Sequence, residues 1–113
     1  MSDWTVEYYE TADGREIVLD EIWSFGYKEA ARIVRTIGLL EEFGLSLSGS
    51  YIKHIQGEIW ELRVTRFRVL YFTFTGRKLV MLRTFMKKSQ ATPRSEIAIA
   101  ERRMNDYTSR EGA

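Results

Sequence analysis

The chain has 113 residues, 44% hydrophobic and 29% charged, which fits one ordinary globular domain spanning residues 1–113. Its net charge of +1 hides a split: residues 1–50 hold 4 Lys/Arg against 10 Asp/Glu, and residues 51–113 hold 13 against 6. With no cysteine and one histidine, disulfides, thiolate metal sites and a structural zinc site are excluded, and no metal or cofactor is expected.

The opening MSDWTVEYYE lacks the basic region and apolar core of a signal peptide, and no run approaches the roughly 18 apolar residues of a membrane span. A cytoplasmic protein with no membrane attachment is expected. Trp4–Tyr9 reads as a first strand, because it is aromatic and β-branched and ends at the turn-like Thr11-Ala12-Asp13-Gly14. A helix over Arg15–Phe25 follows, with a break at Gly26-Tyr27. The spacing of Ala30, Ile33, Ile37 and Leu40 predicts a second helix over Lys28–Phe43, with Gly44 as a left-handed C-terminal cap. Leu45–Ser50, rich in Ser and Gly, is a loop too short to link domains.

Four strands come next: Tyr51–Ile55, Ile59–Val64, Phe67–Phe74 and Lys78–Lys87. The connections Gln56-Gly57, Thr65-Arg66 and Thr75-Gly76-Arg77 are hairpin-sized and predict an antiparallel meander. Thr92-Pro93 predicts the start of a last helix, with the Thr92 hydroxyl as N-cap and proline at the first helical position. Its inward stripe is Ile97, Ala100, Met104 and Tyr107, and the tail Thr108–Ala113 is expected to fray. The fold class is α+β: a curved, mostly antiparallel sheet packed against an N-terminal helical hairpin, with a C-terminal helix.

The strands carry an unusual load. From Arg63 to Lys88 there are eight Lys or Arg and no Asp or Glu. Such clustering suggests a basic surface that meets a polyanion, the alternative being that the two charge halves neutralise each other inside the fold. Alternation places Trp60, Leu62 and Val64 on one face and Glu61 with Arg63 on the other, and it groups Arg83 and Lys87 with Met81 and Phe85. Single burial of these cations would cost several kcal/mol each. Arg63, Arg68, Arg83 and Lys87 are therefore expected to line a concave surface, pair with Glu61, or lie at strand ends. Glu61 and Arg63 also read as a structural pair. The interleaved aromatics mostly read as core, with Tyr71 retained as a base-stacking or proton-handling candidate. His54 is the only imidazole and the candidate general acid or base, although a lone histidine is commonly structural.

Three stretches together resemble the core of the RelE/ParE-superfamily toxins: Lys53-His54-Ile55-Gln56-Gly57, Trp60-Glu61-Leu62-Arg63 and Phe67-Arg68-Val69-Leu70-Tyr71. The continuation from Phe85 through Met86-Lys87-Lys88 to Pro93, with Ser95-Glu96-Ile97 and Ala100, resembles the phage-derived HigB-like branch. The resemblance implies a RelE-like fold and the toxin half of a type II toxin–antitoxin pair. It further implies metal-independent cleavage of mRNA on the ribosome, with the substrate's 2′-hydroxyl as nucleophile. Arg68 matches the phosphate-gripping arginine, and Lys87 and Lys88 match the catalytic cations after the last strand, with His54 as the remaining catalytic candidate. Lys53 matches a basic position implied to contact RNA or ribosome, and Arg63, Tyr71 and Arg83, singled out by the strand pattern, are expected to contact RNA or ribosome with it. The implied partners are a cognate helix-turn-helix antitoxin, mRNA and the ribosome, with operator DNA bound through the antitoxin. Unlike RelE proper, the chain has no tyrosine in Ser89–Ile99 and no histidine near the last strand. A non-catalytic inhibitor of DNA gyrase of the ParE type, or a plain nucleic-acid-binding module, is the competing expectation.

Overall fold

The computed structural model describes residues 3–112. Their elements are β1 (Thr5–Tyr8), α1 (Ile17–Trp23), α2 (Tyr27–Phe43), a 3-10 turn (Gly44–Ser46), β2 (Ile52–Gln56), β3 (Ile59–Val64), β4 (Phe67–Phe74), β5 (Lys78–Met86) and α3 (Arg94–Glu111). The sheet order is β1-β5-β4-β3-β2, with β2 to β5 an antiparallel meander and β1 parallel to β5. The α1–α2 hairpin covers one face, where the ring of Phe25 lies 4.7 Å from that of Phe67. Helix α3 covers part of the other, where Tyr107 meets Phe72 at 5.9 Å and Phe74 at 5.2 Å. Val18, Ile22, Ile33, Ile37 and Leu40 of the hairpin are fully buried with Leu62, Val69 and Met81 of the sheet in one core.

Gly44 ends α2 with a positive φ of 55°, and an added Cβ there would come within 2.1 Å of the Trp4 indole. Backbone conformation and close approach together require glycine. The first helix is shorter than its pattern suggests, because Arg15 closes a turn on Thr11 through N–H and hydroxyl contacts before Ile17 begins the helix.

Two expectations at the last helix are corrected. Pro93, not Thr92, holds the N-cap position, and no side chain caps the helix. The Thr92 hydroxyl instead donates to the carboxylate of Glu61, a fully buried acid whose oxygens need partners more than an exposed helix end does. The tail does not fray at Thr108: the helix runs to Glu111, where Arg110 donates to the Glu10 carbonyl at 2.6 Å and to Asp106 at 2.9 Å. Ala113 lies outside the described residues.

Beyond Met81, β5 loses its strand neighbour because β1 ends at Tyr8. Side chains take over that edge. Glu21 of α1 accepts the Thr84 N–H at 3.0 Å, and Arg103 of α3 donates to the Leu82 carbonyl at 2.8 Å. The two are themselves joined at 2.9 Å, and Arg83 bridges Glu21 at 2.6 Å and Glu96 at 2.7 Å. Glu21→Ala is expected to leave two cations and an edge N–H without their shared acceptor. Stability should fall by about 3 kcal/mol, the scale for removing one member of a poorly solvated charge pair. Thermal denaturation should show the midpoint drop by on the order of 10 °C, with the exposed Glu42→Ala close to the parent.

Candidate nucleic-acid interface

Residues directly opposite one another across strands share a face, so the register decides which cations meet. Lys53 faces Glu61, Glu61 faces Leu70, and Leu70 faces Arg83, forming one row. Arg63 faces Arg68, which faces Phe85, forming the next row on the same side. His54 faces Trp60, and Trp60 faces Tyr71, on the other side. Between Leu70 and Tyr71 the pairing slips, because Leu70 faces Arg83 while Tyr71 faces Met81. Leu82 is thus an extra residue, a bulge that simple alternation does not foresee. It separates Arg83 and Phe85 from Met81, against the grouping expected from the sequence.

Glu61 anchors the cationic face. It is 0% exposed and lies 3.3 Å from Arg68 Nε and 3.7 Å from Arg63 Nε. The expected pairing of Glu61 with Arg63 is present, and Arg68 joins it. Arg68 is further held by Nη1, which donates to the carbonyls of Thr65 at 2.7 Å and Phe67 at 2.8 Å. Thr65 has a positive φ of 54°, uncommon for a β-branched residue, and this conformation closes the β3–β4 turn around the guanidinium. Burial lowers the pKa of Arg68 from its ordinary value, Glu61 opposes that shift, and Arg63 adds to it. It remains a cation at any physiological pH.

Where the β3–β4 turn meets the end of β5, Arg66, Arg68, Lys87, Lys88, Ser89 and Gln90 line an open basin of about 530 Å³. The Lys87 N–H donates to the Arg66 carbonyl at 2.7 Å, which ties the two sides together. Lys87 lies beyond the end of β5 at Met86, not within it. Arg66, Lys87 and Lys88 make no ion pair among the described residues, whereas Arg63, Arg68, Arg77, Lys78 and Arg83 all do. A shallow hollow lined by cations and two small polar side chains suits the oxygens of a phosphodiester. No group of three His, Cys, Asp or Glu placed to hold a metal occurs among the described residues.

The sequence candidates thus divide. Arg68, Lys87 and Lys88 come together, Arg63 flanks Arg68, and Lys53 lies exposed on the same face at the edge strand. Three do not join them. Tyr71 is 1% exposed beneath the helical hairpin, where burial pushes its pKa up to about 12, so it is a core residue that no base can reach. Arg83 is closed between Glu21 and Glu96; burial works against its charge, but those two carboxylates outweigh it and raise its pKa. It is part of the framework, not a free contact for RNA. His54 is exposed on the opposite face, with Nε2 2.8 Å from the Gly57 carbonyl and its ring 5.1 Å from that of Trp60, a role in its own hairpin. Arg66 was not singled out in the sequence. Its signal was a cation in a two-residue turn beside a strand that already carried Arg68.

Residues 20–105 match the family described as phage-derived protein Gp49-like. No curated protein matches in sequence. Among solved structures, the toxin–antitoxin complex RelBE2 from Mycobacterium tuberculosis is similar with a TM-score of 0.57 and 18% identity, covering 75% of this chain and 99% of that one. The archaeal RelE–RelB complex from Pyrococcus horikoshii OT3 gives 0.61 and 14% identity, covering 79% of this chain and 99% of that one. At these identities they establish the fold, which is RelE-like.

The basin makes a direct electrostatic prediction. Affinity for a single-stranded RNA oligonucleotide should fall with salt at a log–log slope of about −3, as expected if four cations replace condensed counterions. Lys87→Ala should make the slope shallower by about 0.7, measured by fluorescence anisotropy from 50 to 300 mM salt. Affinity indifferent to salt would remove the basin as a phosphate site.

Proposed function

This chain belongs to the phage-derived Gp49-like family, and from that premise we propose that it is the toxin of a type II toxin–antitoxin pair, of the HigB-like kind, that cleaves mRNA on the ribosome. The observation that carries the reading is the basin of Arg66, Arg68, Lys87 and Lys88, in which Arg68 is held by Glu61 while the other three form no ion pair among the described residues. The RelE–RelB and RelBE2 complexes with which it shares its fold pair a toxin with an antitoxin, which supports the same reading. The neutralising partner on this reading is a helix-turn-helix antitoxin, through which the complex would bind operator DNA.

The chemistry follows from what the basin offers. A ribose 2′-hydroxyl attacks the adjacent phosphorus as the bond to the 5′-oxygen breaks, leaving a 2′,3′-cyclic phosphate and a 5′-hydroxyl. One proton leaves the nucleophile and one joins the departing oxygen. Arg68, oriented by Glu61 and by the Thr65 and Phe67 carbonyls, presents a planar fork to the phosphate oxygens. Arg66 adds a second guanidinium across the hollow. Lys87 and Lys88 are the side chains of the basin able to give or take a proton, since His54 and Tyr71 belong to the other face. So few groups suit an enzyme that borrows alignment of its substrate from the ribosome.

Arg68→Ala or Lys87→Ala should lower the single-turnover rate on ribosome-bound mRNA by about a hundredfold or more, the scale of one lost electrostatic donor. Arg68→Lys should recover little, because a point charge cannot copy the bidentate grip. Arg94→Ala, on the helix away from the basin, should stay within a few-fold of the parent. His54→Ala should also cleave normally, and a loss as large as that of Arg68→Ala would return His54 to the site. Mapping of mRNA 5′ ends in translating cells provides the readout. Growth arrest with intact mRNA and inhibited gyrase would replace this reading with the ParE-type alternative.

A further inference from the structure

Helix α2 turns Ala30, Ile33, Thr36, Ile37 and Leu40 toward the core. Its outward side should be polar throughout, and it is not. Tyr27, Ala31, Val34 and Gly38 recur at spacings of four, three and four, which aligns them as a narrow apolar stripe on the solvent side. Trp23 at the end of α1 extends the stripe, its ring 6.1 Å from that of Tyr27. The large members are open to solvent: Tyr27 is 78% exposed, Trp23 50% and Val34 37%.

Cations run beside the stripe. Lys28, Arg32 and Arg35 line a hollow of about 330 Å³ together with Tyr27 and Ala31. Arg32 reaches Glu29 only at 3.8 Å, and Lys28 and Arg35 form no ion pair among the described residues. Paired aromatics beside unneutralised cations are what a buried contact needs, with anchors to desolvate and charges to orient the partner. The surface lies on the hairpin side of the sheet, whereas Arg68 and its row lie on the other side.

We propose that this stripe is the docking face for an amphipathic helix of the neutralising antitoxin, with an apolar ridge over Trp23, Tyr27 and Val34 and acidic residues against Lys28, Arg32 and Arg35. The proposal rests on the toxin reading above and adds where the partner binds. The stripe from Tyr27 to Gly38 spans about 17 Å of helix, so a partner helix of three to four turns covers it. A second copy of this chain fits worse. An antiparallel two-fold pairing would set the Lys28 and Arg35 rows of both copies along the same edge, where they repel. Binding here leaves the basin uncovered, so this face anchors the partner and a separate segment would have to reach the catalytic side.

The test uses the full chain co-expressed with the product of the adjoining gene. Tyr27→Glu combined with Val34→Glu should still arrest growth, but the partner should no longer rescue it or co-purify, with affinity at least a hundredfold weaker by calorimetry. Arg35→Glu is an exposed charge reversal that keeps the fold, and it should weaken binding about tenfold. An acidic-to-lysine change in the partner helix should restore it. Unchanged affinity in both variants overturns the proposal. So does loss of growth arrest in folded variants, which would make the face part of the toxic activity. Dissociation of a parent homodimer by these substitutions, seen by sedimentation, would assign the stripe to a second copy instead. If the parent neither arrests growth nor cleaves mRNA but still binds the neighbour through this face, the toxin reading fails and the docking face stands.

Discussion

The carboxylate of Glu21 is the contact on which the arrangement turns. A sheet edge left without a partner strand exposes backbone groups that must find other partners or water. Here β1 is too short to cover β5 past Met81, and Glu21 with Arg103 completes the edge in its place. Because Glu21 belongs to α1 and Arg103 to α3, the same contacts fix both helices against the same strand. The bulge at Leu82 belongs to this solution. By shifting the alternation it brings Arg83 to the face where Glu96 waits, while Glu21 reaches it around the edge.

A second acid organises the other charge cluster. Glu61 is buried beside two guanidiniums directly opposite one another across β3 and β4, a pairing that would be repulsive without it. Its second oxygen takes the Thr92 hydroxyl, which draws the segment before α3 over the sheet. The contact therefore costs the helix its side-chain cap and gives one oxygen of the buried acid a hydrogen bond, while the other faces the two guanidiniums as an ion pair only. Arg68 ends with its position set from three directions, a rigidity that suits its proposed role at phosphate.

Much of the architecture was legible because period and turn chemistry agreed. The limits of β3 and β4, the helical spacing in α2 and the inward stripe of α3 could all be read from residue pattern alone. Apart from the start of α1, which a local turn delays, the main misreadings arise because long-range partners do not register in local pattern. Thr92 followed by proline is a strong N-cap signal, yet a buried carboxylate 31 residues earlier claimed its hydroxyl. Arg83 looked like one more cation in a basic run, but its acceptors lie 62 residues before it and 13 after. The bulge left no mark in the strand's composition. His54 was attractive as the single imidazole, and only register across β2 and β3 reveals that it points away from the cations.

The charge split between the halves of the chain has a structural meaning that neither sequence reading captured alone. Three acids of the first half pair with cations of the second: Glu21 with Arg83 and Arg103, Glu7 with Lys78, Asp3 with Arg77. Internal neutralisation is therefore real, but it is selective. It reaches Lys78 and Arg83 in the sheet, while Glu61 holds Arg63 and Arg68; Lys53 at the edge strand forms no ion pair among the described residues, nor do Arg66, Lys87 and Lys88 at the turn and strand end. A charged site can be assembled cheaply there, because solvent still hydrates each cation until an anion arrives, and none needs a permanent counter-charge. The same strands thus carry cations for two purposes. Arg83 inside the sheet joins it to α1 and α3, and the cations at its end form the basin that the proposed function assigns to phosphate.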